Sequence, residues 1–124
     1  MLLTKSNIGK KGEKIAKKYL KRKKLKFITS NFIYKKKEID LIFEDVKNKI
    51  LIFVEVKTRL DDSFTLPEDN ITLNKIKKYL FAINGFLLKN PKYSDYEIRI
   101  DSVGIVIKEG KTFINHIEGI NQTY

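Results

Sequence analysis

The chain has no cysteine and a single histidine. This excludes a disulfide framework, a thiolate zinc site, a cysteine nucleophile and any zinc site that needs several imidazoles. A metal bound here must be held by oxygen. Acids are scarce beside bases: 15 Asp and Glu against 26 Lys and Arg leave a net charge of +11, with a pI near 9.7. That balance favours a polyanionic partner, nucleic acid foremost. No run approaches the roughly 18 apolar residues of a membrane span, and the start Met1-Leu2-Leu3-Thr4-Lys5-Ser6 lacks the apolar stretch of a signal peptide. The expectation is no membrane partner and a cytoplasmic location. Several motifs are also missing. The run Ile50 to Glu55 superficially resembles the strand that ends in an ATPase acid, but there is no G-x-x-x-x-G-K-[ST], and Gly9-Lys10-Lys11-Gly12-Glu13 has the wrong spacing. Nor is there a G-x-G-x-x-G after a strand or a G-x-S-x-G, so dinucleotide binding and a serine-hydrolase elbow have no support.

What is present is enough to fold. Hydrophobic residues make up 42% and aromatics 11% of 124 residues, which suits one packed core and one domain over residues 1–124. Ile8, Ile15, Ala16, Tyr19 and Leu20 recur at helical spacing over about residues 7–24, with lysines around the rest. Strands are expected over 26–34, 38–44 and 50–58, with a turn at 45–49. The third strand is apolar on both parities up to Glu55, as a strand covered on both faces should be. Residues 58–70 hold Pro67, four acids and no period, and read as a mobile loop. A second helix carries Ile76, Tyr79, Leu80, Ile83, Phe86 and Leu87, with Thr72 as N-cap and Asn90-Pro91 as stop. Strands over 96–107 and 112–117 flank the turn signal Glu109-Gly110-Lys111, and the tail after Glu118 reads as irregular. Helix, three strands, helix, two strands is an α/β layer fold.

Two carboxylates interrupt apolar strands: Asp40 in Glu38-Ile39-Asp40-Leu41-Ile42, and Glu55 in Phe53-Val54-Glu55-Val56-Lys57. Residues two apart in a strand share a face, so Glu55 and Lys57 point with Leu51 and Phe53 onto a face that is otherwise core. A charge buried there is costly without a partner. If the second and third strands are antiparallel neighbours, Asp40 can lie near Glu55. Two negative charges ~4 Å apart repel by about 4 kcal/mol at an effective dielectric of ~20. A cation would remove that repulsion; hard oxygen ligands suit Mg²⁺ or Mn²⁺, and Lys57 beside them could position water or stabilise charge on a phosphate. The bland alternative pairs Glu55 with Lys57 or another lysine and leaves Asp40 at a wet sheet edge. The two acids and the lysine together favour the site.

Glu13 is the only acid of the first helix. It either pairs with Lys17 at i, i+4, worth a few tenths of a kcal/mol, or looks over the sheet edge toward a metal, and both readings stay open on the residues alone. Lysines concentrate in the first third, with Lys10, Lys11 and Lys14 on the helix and Lys35-Lys36-Lys37 before the second strand. They favour phosphate contact over a merely solvated face. Lys75, Lys77 and Lys78 are open to either reading, and the apolar stripe of the second helix is core by default. His116 reads as structural or exposed rather than as a general base.

Gly12-Glu13 with Ala16 and Tyr19-Leu20, then Asn31, Glu38-Ile39-Asp40-Leu41-Ile42, Phe53-Val54-Glu55-Val56-Lys57-Thr58-Arg59, Lys75 and Arg99-Ile100-Asp101 together resemble the bacterial YraN-like family through nearly the whole chain. That family is similar to the restriction-endonuclease-like PD-(D/E)xK superfamily and to the archaeal Holliday-junction resolvases within it. The resemblance implies a restriction-endonuclease-like αβββαβ core with a mixed central sheet flanked by helices. It implies Asp40, Glu55 and Glu13 as metal ligands, Lys57 and Glu13 as catalytic, and Mg²⁺ or Mn²⁺ as cofactor. It departs from the family where Lys37 stands in place of a common Gly and where the loop before Lys75 has Thr65 after Phe64 instead of a Gly. The expected function is a metal-dependent endonuclease cleaving DNA, branched or damaged DNA included, in repair or recombination. Lys10, Lys11, Lys14, Lys36, Lys37, Arg59 and Lys75 are the candidate nucleic-acid contacts, and a second copy, as a homodimer, is a candidate partner. The competing class is a catalytically silent nucleic-acid-binding protein of the same fold.

Overall fold

The structure is a computed structural model that describes residues 4–60 and 72–123. Helix α1 spans Lys5–Arg22, two residues earlier at each end than periodicity predicts. Its start is set by Thr4, whose hydroxyl accepts from the Asn7 amide at 3.0 Å. Its end is set at Lys23 and Lys24, the latter left-handed at φ 65°. Strands β1 Lys26–Tyr34, β2 Lys37–Asp45 and β3 Ile50–Arg59 follow, then α2 Leu73–Lys89, β4 Glu97–Lys108 and β5 Lys111–Ile117. Thr72 caps α2, accepting from the Lys75 amide at 3.2 Å, and Pro91 opens a short 3₁₀ turn after the helix stops. Thr58, where the expected strand and loop overlap, and Arg59, expected in the loop, both belong to β3, while 61–70 of that expected loop, including Phe64, Thr65 and Pro67, lie outside the described residues. The tail is not irregular: Ile120–Thr123 forms a 3₁₀ turn that buries Ile120 and lets Asn121 Oδ1 accept from the Ile100 amide at 2.9 Å.

The five strands lie in the order β1-β2-β3-β4-β5, antiparallel throughout except for β3 and β4, which are parallel. A parallel pair needs a crossover, and α2 lies within it. The central position expected of β3 is observed, with Leu51, Ile52, Phe53 and Val54 wholly buried. Strand parity divides the core into two layers, with one break at Asp40, across which Ile39 lies in the α2 layer and Leu41 in the α1 layer. Ala16 and Leu20 of α1 pack with Leu41, Phe43, Ile52, Val54, Val103 and Ile105; Ile76, Ala82, Ile83 and Phe86 of α2 pack with Ile39, Ile42, Leu51, Phe53 and Ile100. Helix α2 lies chiefly over β1 and β2. No described helix is long and apolar enough to cross a membrane.

The β1–β2 connection is a two-residue hairpin with Lys35 at φ 46° and Lys36 at φ 70°, between the paired Tyr34 and Lys37. Both residues occupy the left-handed region that a type I′ turn demands and that Asn and Gly fill most cheaply. Two lysines are thus held there at an intrinsic cost of roughly 1–2 kcal/mol each.

Candidate functional site

The β2–β3 ladder runs from Asp45↔Ile50 to Leu41↔Val54, and one step further sets Asp40 level with Glu55. The antiparallel arrangement that the juxtaposition of the acids required is therefore present. At that step the Asp40 carboxylate is turned into the ladder, its Oδ2 accepting the Val56 amide at 2.8 Å. On the other side, the pairs Ser30↔Leu41 and Phe32↔Ile39 set Asn31 of β1 level with Asp40. Asn31, Asp40 and Glu55 so form one row across three strands.

Glu13 reaches this row from the α1 layer. Gly12 is buried so tightly against β3 that a Cβ on it would stand 1.7 Å from Thr58 Oγ1. That close approach lets the next residue overhang the sheet. Glu13 Oε1 then accepts from Asn31 Nδ2 at 3.3 Å. The carboxyl of Asp40 is pushed up to about 7, first by burial and then, against the pull of the Val56 amide, by the charges of Glu13, Glu38 and Glu55. Glu13 and Glu55 thus both act on Asp40, and Glu38 joins them.

Glu55 lies on the α2 face, as parity requires, and accepts at 3.3 Å from Lys75 Nζ; its side chain is 17% exposed. This is the lysine pairing weighed above, supplied by α2 and not by Lys57. Lys57, half-buried two residues on, has no hydrogen-bond or ion-pair partner among the described residues. Tyr79 stands by: burial and then the carboxylates of Asp40, Glu55 and Glu38 push its hydroxyl up, so it is a neutral donor at any ordinary pH. A cleft of about 310 Å³ opens here, lined by Lys36, Lys37, Glu38, Glu55, Lys75, Lys78 and Tyr79.

Of the expected nucleic-acid contacts, Lys36, Lys37 and Lys75 line the cleft, and Arg59 lies further along β3 on the face of Lys57. Lys10, Lys11 and Lys14 are exposed on α1, outside the cleft lining. Glu38, Asn31 and Tyr79 were not singled out as site residues from sequence. The only signal was adjacency: Glu38 flanks the Asp40 block and Asn31 stood among the matched positions.

Among the described residues, no three Asp, Glu or His side chains stand close enough to enclose a cation by themselves. That is no obstacle to Mg²⁺, which keeps several waters and commonly takes one or two carboxylates. Two observations fit the ion. The donors are hard oxygens only, and Asp40 is ringed by like charges with its Oδ1 free of any hydrogen-bond donor among the described residues.

The αβββαβ order, the mixed sheet and an acid row at the point where β2 and β3 part define a restriction-endonuclease-like α/β protein. Residues 12–105 match the Uncharacterised protein family UPF0102, and the chain belongs to that family, the YraN family. A UPF0102 protein of Syntrophomonas wolfei subsp. wolfei is 38% identical over 110 residues, 89% of this chain and 93% of its own. One of Carboxydothermus hydrogenoformans is 30% identical over 118 residues, 95% and 98% of the two chains. One of Vibrio campbellii is 41% identical over 106 residues, 84% of each.

Proposed function

We propose that this protein is a Mg²⁺- or Mn²⁺-dependent endonuclease that hydrolyses phosphodiester bonds in DNA, branched or damaged DNA in particular. The observation that carries the reading is the placement of Asp40 level with Glu55, with Lys57, which has no hydrogen-bond or ion-pair partner among the described residues, on the same face as Glu55. Asp40 and Glu55 would hold the cation, with Glu13 overhanging from α1. When bound, that cation supplies charge neutralisation at the phosphate and an acidified water.

The protein's own residues account for the rest. The Val56 amide fixes one oxygen of Asp40 and leaves the other for a ligand. Lys57, with no carboxylate partner among the described residues, is available to stabilise charge building on the phosphate or to orient water. Lys36, Lys37, Lys75 and Lys78 give the cleft the positive lining that a phosphate backbone needs. The experiment is cleavage of flapped, branched and plain duplex DNA in Mg²⁺ and in Mn²⁺, comparing wild type with Asp40→Asn. Metal-dependent cutting by wild type and none by the variant is expected; equal cutting overturns the reading. A second reading, nucleic-acid binding without catalysis, draws on the Lys75–Glu55 ion pair, which occupies one oxygen of a candidate ligand.

A further inference from the structure

Helix α2 covers β1 and β2, and the sheet face beyond Glu55 continues outward onto β4 and β5. The registers arrange that face as three rows. Glu55, Ser102 and Ile117 form the first; Lys57, Gly104 and Asn115 the second; Arg59, Val106 and Phe113 the third. Residues in register share a face, as do residues two apart along a strand. The outer column carries two open apolar side chains on either side of Asn115: Phe113 is 54% and Ile117 49% exposed. Between it and Lys57 lies Gly104, where an added Cβ would meet only Asn115, at 3.7 and 4.0 Å. The middle row therefore presents a low floor between a lysine and an exposed aromatic ring. Strand spacings put Phe113 about 12 Å from Lys57, near enough for one strand of nucleic acid to touch both.

We propose that this open face binds an unpaired DNA strand leaving the site, with a base stacked on Phe113. The proposal deepens the nuclease reading and rests on it for the identity of the occupant. Its support is charge and shape. The inner column carries Lys57 for a phosphate, and the outer column carries a ring for a base. A base offers its flat face to a side chain only when it is unstacked, whereas a duplex offers phosphates and groove edges. A second copy of the chain fits less well, because a two-fold contact through this face would bring Lys57 of one protomer toward its own image in a chain of net charge +11.

The chain has no tryptophan, so Phe113→Trp makes a single reporter at the proposed stack. The experiment titrates the full chain with oligo(dT) and with a blunt hairpin duplex, in chelator to prevent cleavage, reading Trp emission and the anisotropy of labelled DNA together. Quenching by oligo(dT), with the same midpoint as the anisotropy and absent with the blunt duplex, is expected. Phe113→Ala should reduce the ratio of strand to duplex affinity roughly tenfold. Leu88→Ala, an exposed apolar residue on α2, should leave it unchanged. Binding without quenching overturns the stack and leaves the nuclease reading standing. Failure of any DNA to bind at low salt overturns both. Trp emission that follows protein concentration, with a dimer in sedimentation, makes the face an interface between copies and overturns the proposal.

Discussion

Asn31 donates from Nδ2 to Glu13 Oε1 across 3.3 Å, tying β1 to α1 above the row that holds Asp40 and Glu55. Asn31 has φ 52°, a left-handed backbone that Asn tolerates better than most residues and Gly better still. Bond and strain can be separated. Asn31→Ala loses both the bond and the backbone compatibility; Asn31→Gly loses only the bond. If Asn31 positions Glu13, both variants should need several-fold more Mn²⁺ for half-maximal cleavage, while Ala alone melts earlier, by about 1 kcal/mol. A metal requirement that tracks stability instead of the missing bond would leave Asn31 a backbone residue only.

Asp40 sets a pH dependence that metal should reverse. Its folded-state value of about 7 lies above its ordinary 3.8. A raised acid contributes stability that is full below about 4 and lost as pH rises through about 7. In chelator, Asp40→Asn should therefore match or trail wild type near pH 4 and exceed it at pH 8, by up to about 4 kcal/mol for a shift of about 3 pKa units. Millimolar Mn²⁺ should raise the wild-type Tm and leave the variant's unchanged, because only a ligand held by the native state stabilises it. Melts at the two pH values, with and without Mn²⁺, check both halves.

The fold was readable in the sequence because its signals are local. Two-sided apolarity from Ile50 to Val54 located the central strand, and Thr72, Asn90 and Pro91 bounded α2. Parity put Glu55 and Lys57 on one face, and an antiparallel neighbour put Asp40 beside Glu55. What escaped depends on distant partners. Tyr79 read as core stripe and does pack on the α2 core, but it also lines the cleft. Glu38 gains meaning only when the fold sets it in one cleft with Glu55, Lys75 and Tyr79. Asp101 sat in a matched block with no role; beside its neighbour Arg99, its partners His116 and Gly119 come from 15 and 18 positions later.

That last network predicts acid lability. Asp101 is wholly buried, and its Oδ2 lies 2.8 Å from Nε2 of His116, whose Nδ1 lies 3.1 Å from the Tyr19 hydroxyl. A neutral imidazole protonated at Nε2 satisfies both contacts, which fits the structural role expected of His116. Burial opposes ionisation of Asp101, but hydrogen bonds from His116, Arg99 and the Gly119 amide outweigh it and hold the carboxyl below its usual range. A depressed acid contributes stability present above about 4 and lost as pH falls further. His116→Ala and Asp101→Asn should each cost about 1–3 kcal/mol at pH 7. The Asp101→Asn deficit should shrink below pH 4, where wild type loses its own contribution; a deficit constant from pH 7 to pH 3 would deny Asp101 its charged role. Denaturant melts over that range read it directly.

Lys57 should matter far more to cleavage than to folding or DNA binding. It is half-buried beside Glu55, and Lys75 rather than Lys57 takes the Glu55 ion pair. Among the described residues its removal therefore orphans no carboxylate, and it relieves the desolvation of an amine, so Lys57→Ala should melt within about 1 kcal/mol of wild type or slightly above it. On the proposed reading DNA affinity would be shared among Lys36, Lys37, Lys75, Lys78 and the exposed lysines of α1, so one charge fewer should lower the salt slope by no more than about 1. Charge developing on a phosphorane, however, exists only in the transition state, and a preorganised cation aimed at it acts there and nowhere else. Single-turnover cleavage of a substrate that wild type cuts should fall roughly a hundredfold or more in Lys57→Ala. Lys57→Arg should recover part of the rate if charge is what matters, and none if the ammonium's compact geometry is required to orient water. Equal rates for wild type and Lys57→Ala would move the chemistry to another site or to a contaminating nuclease, and the non-catalytic binding reading would then take precedence.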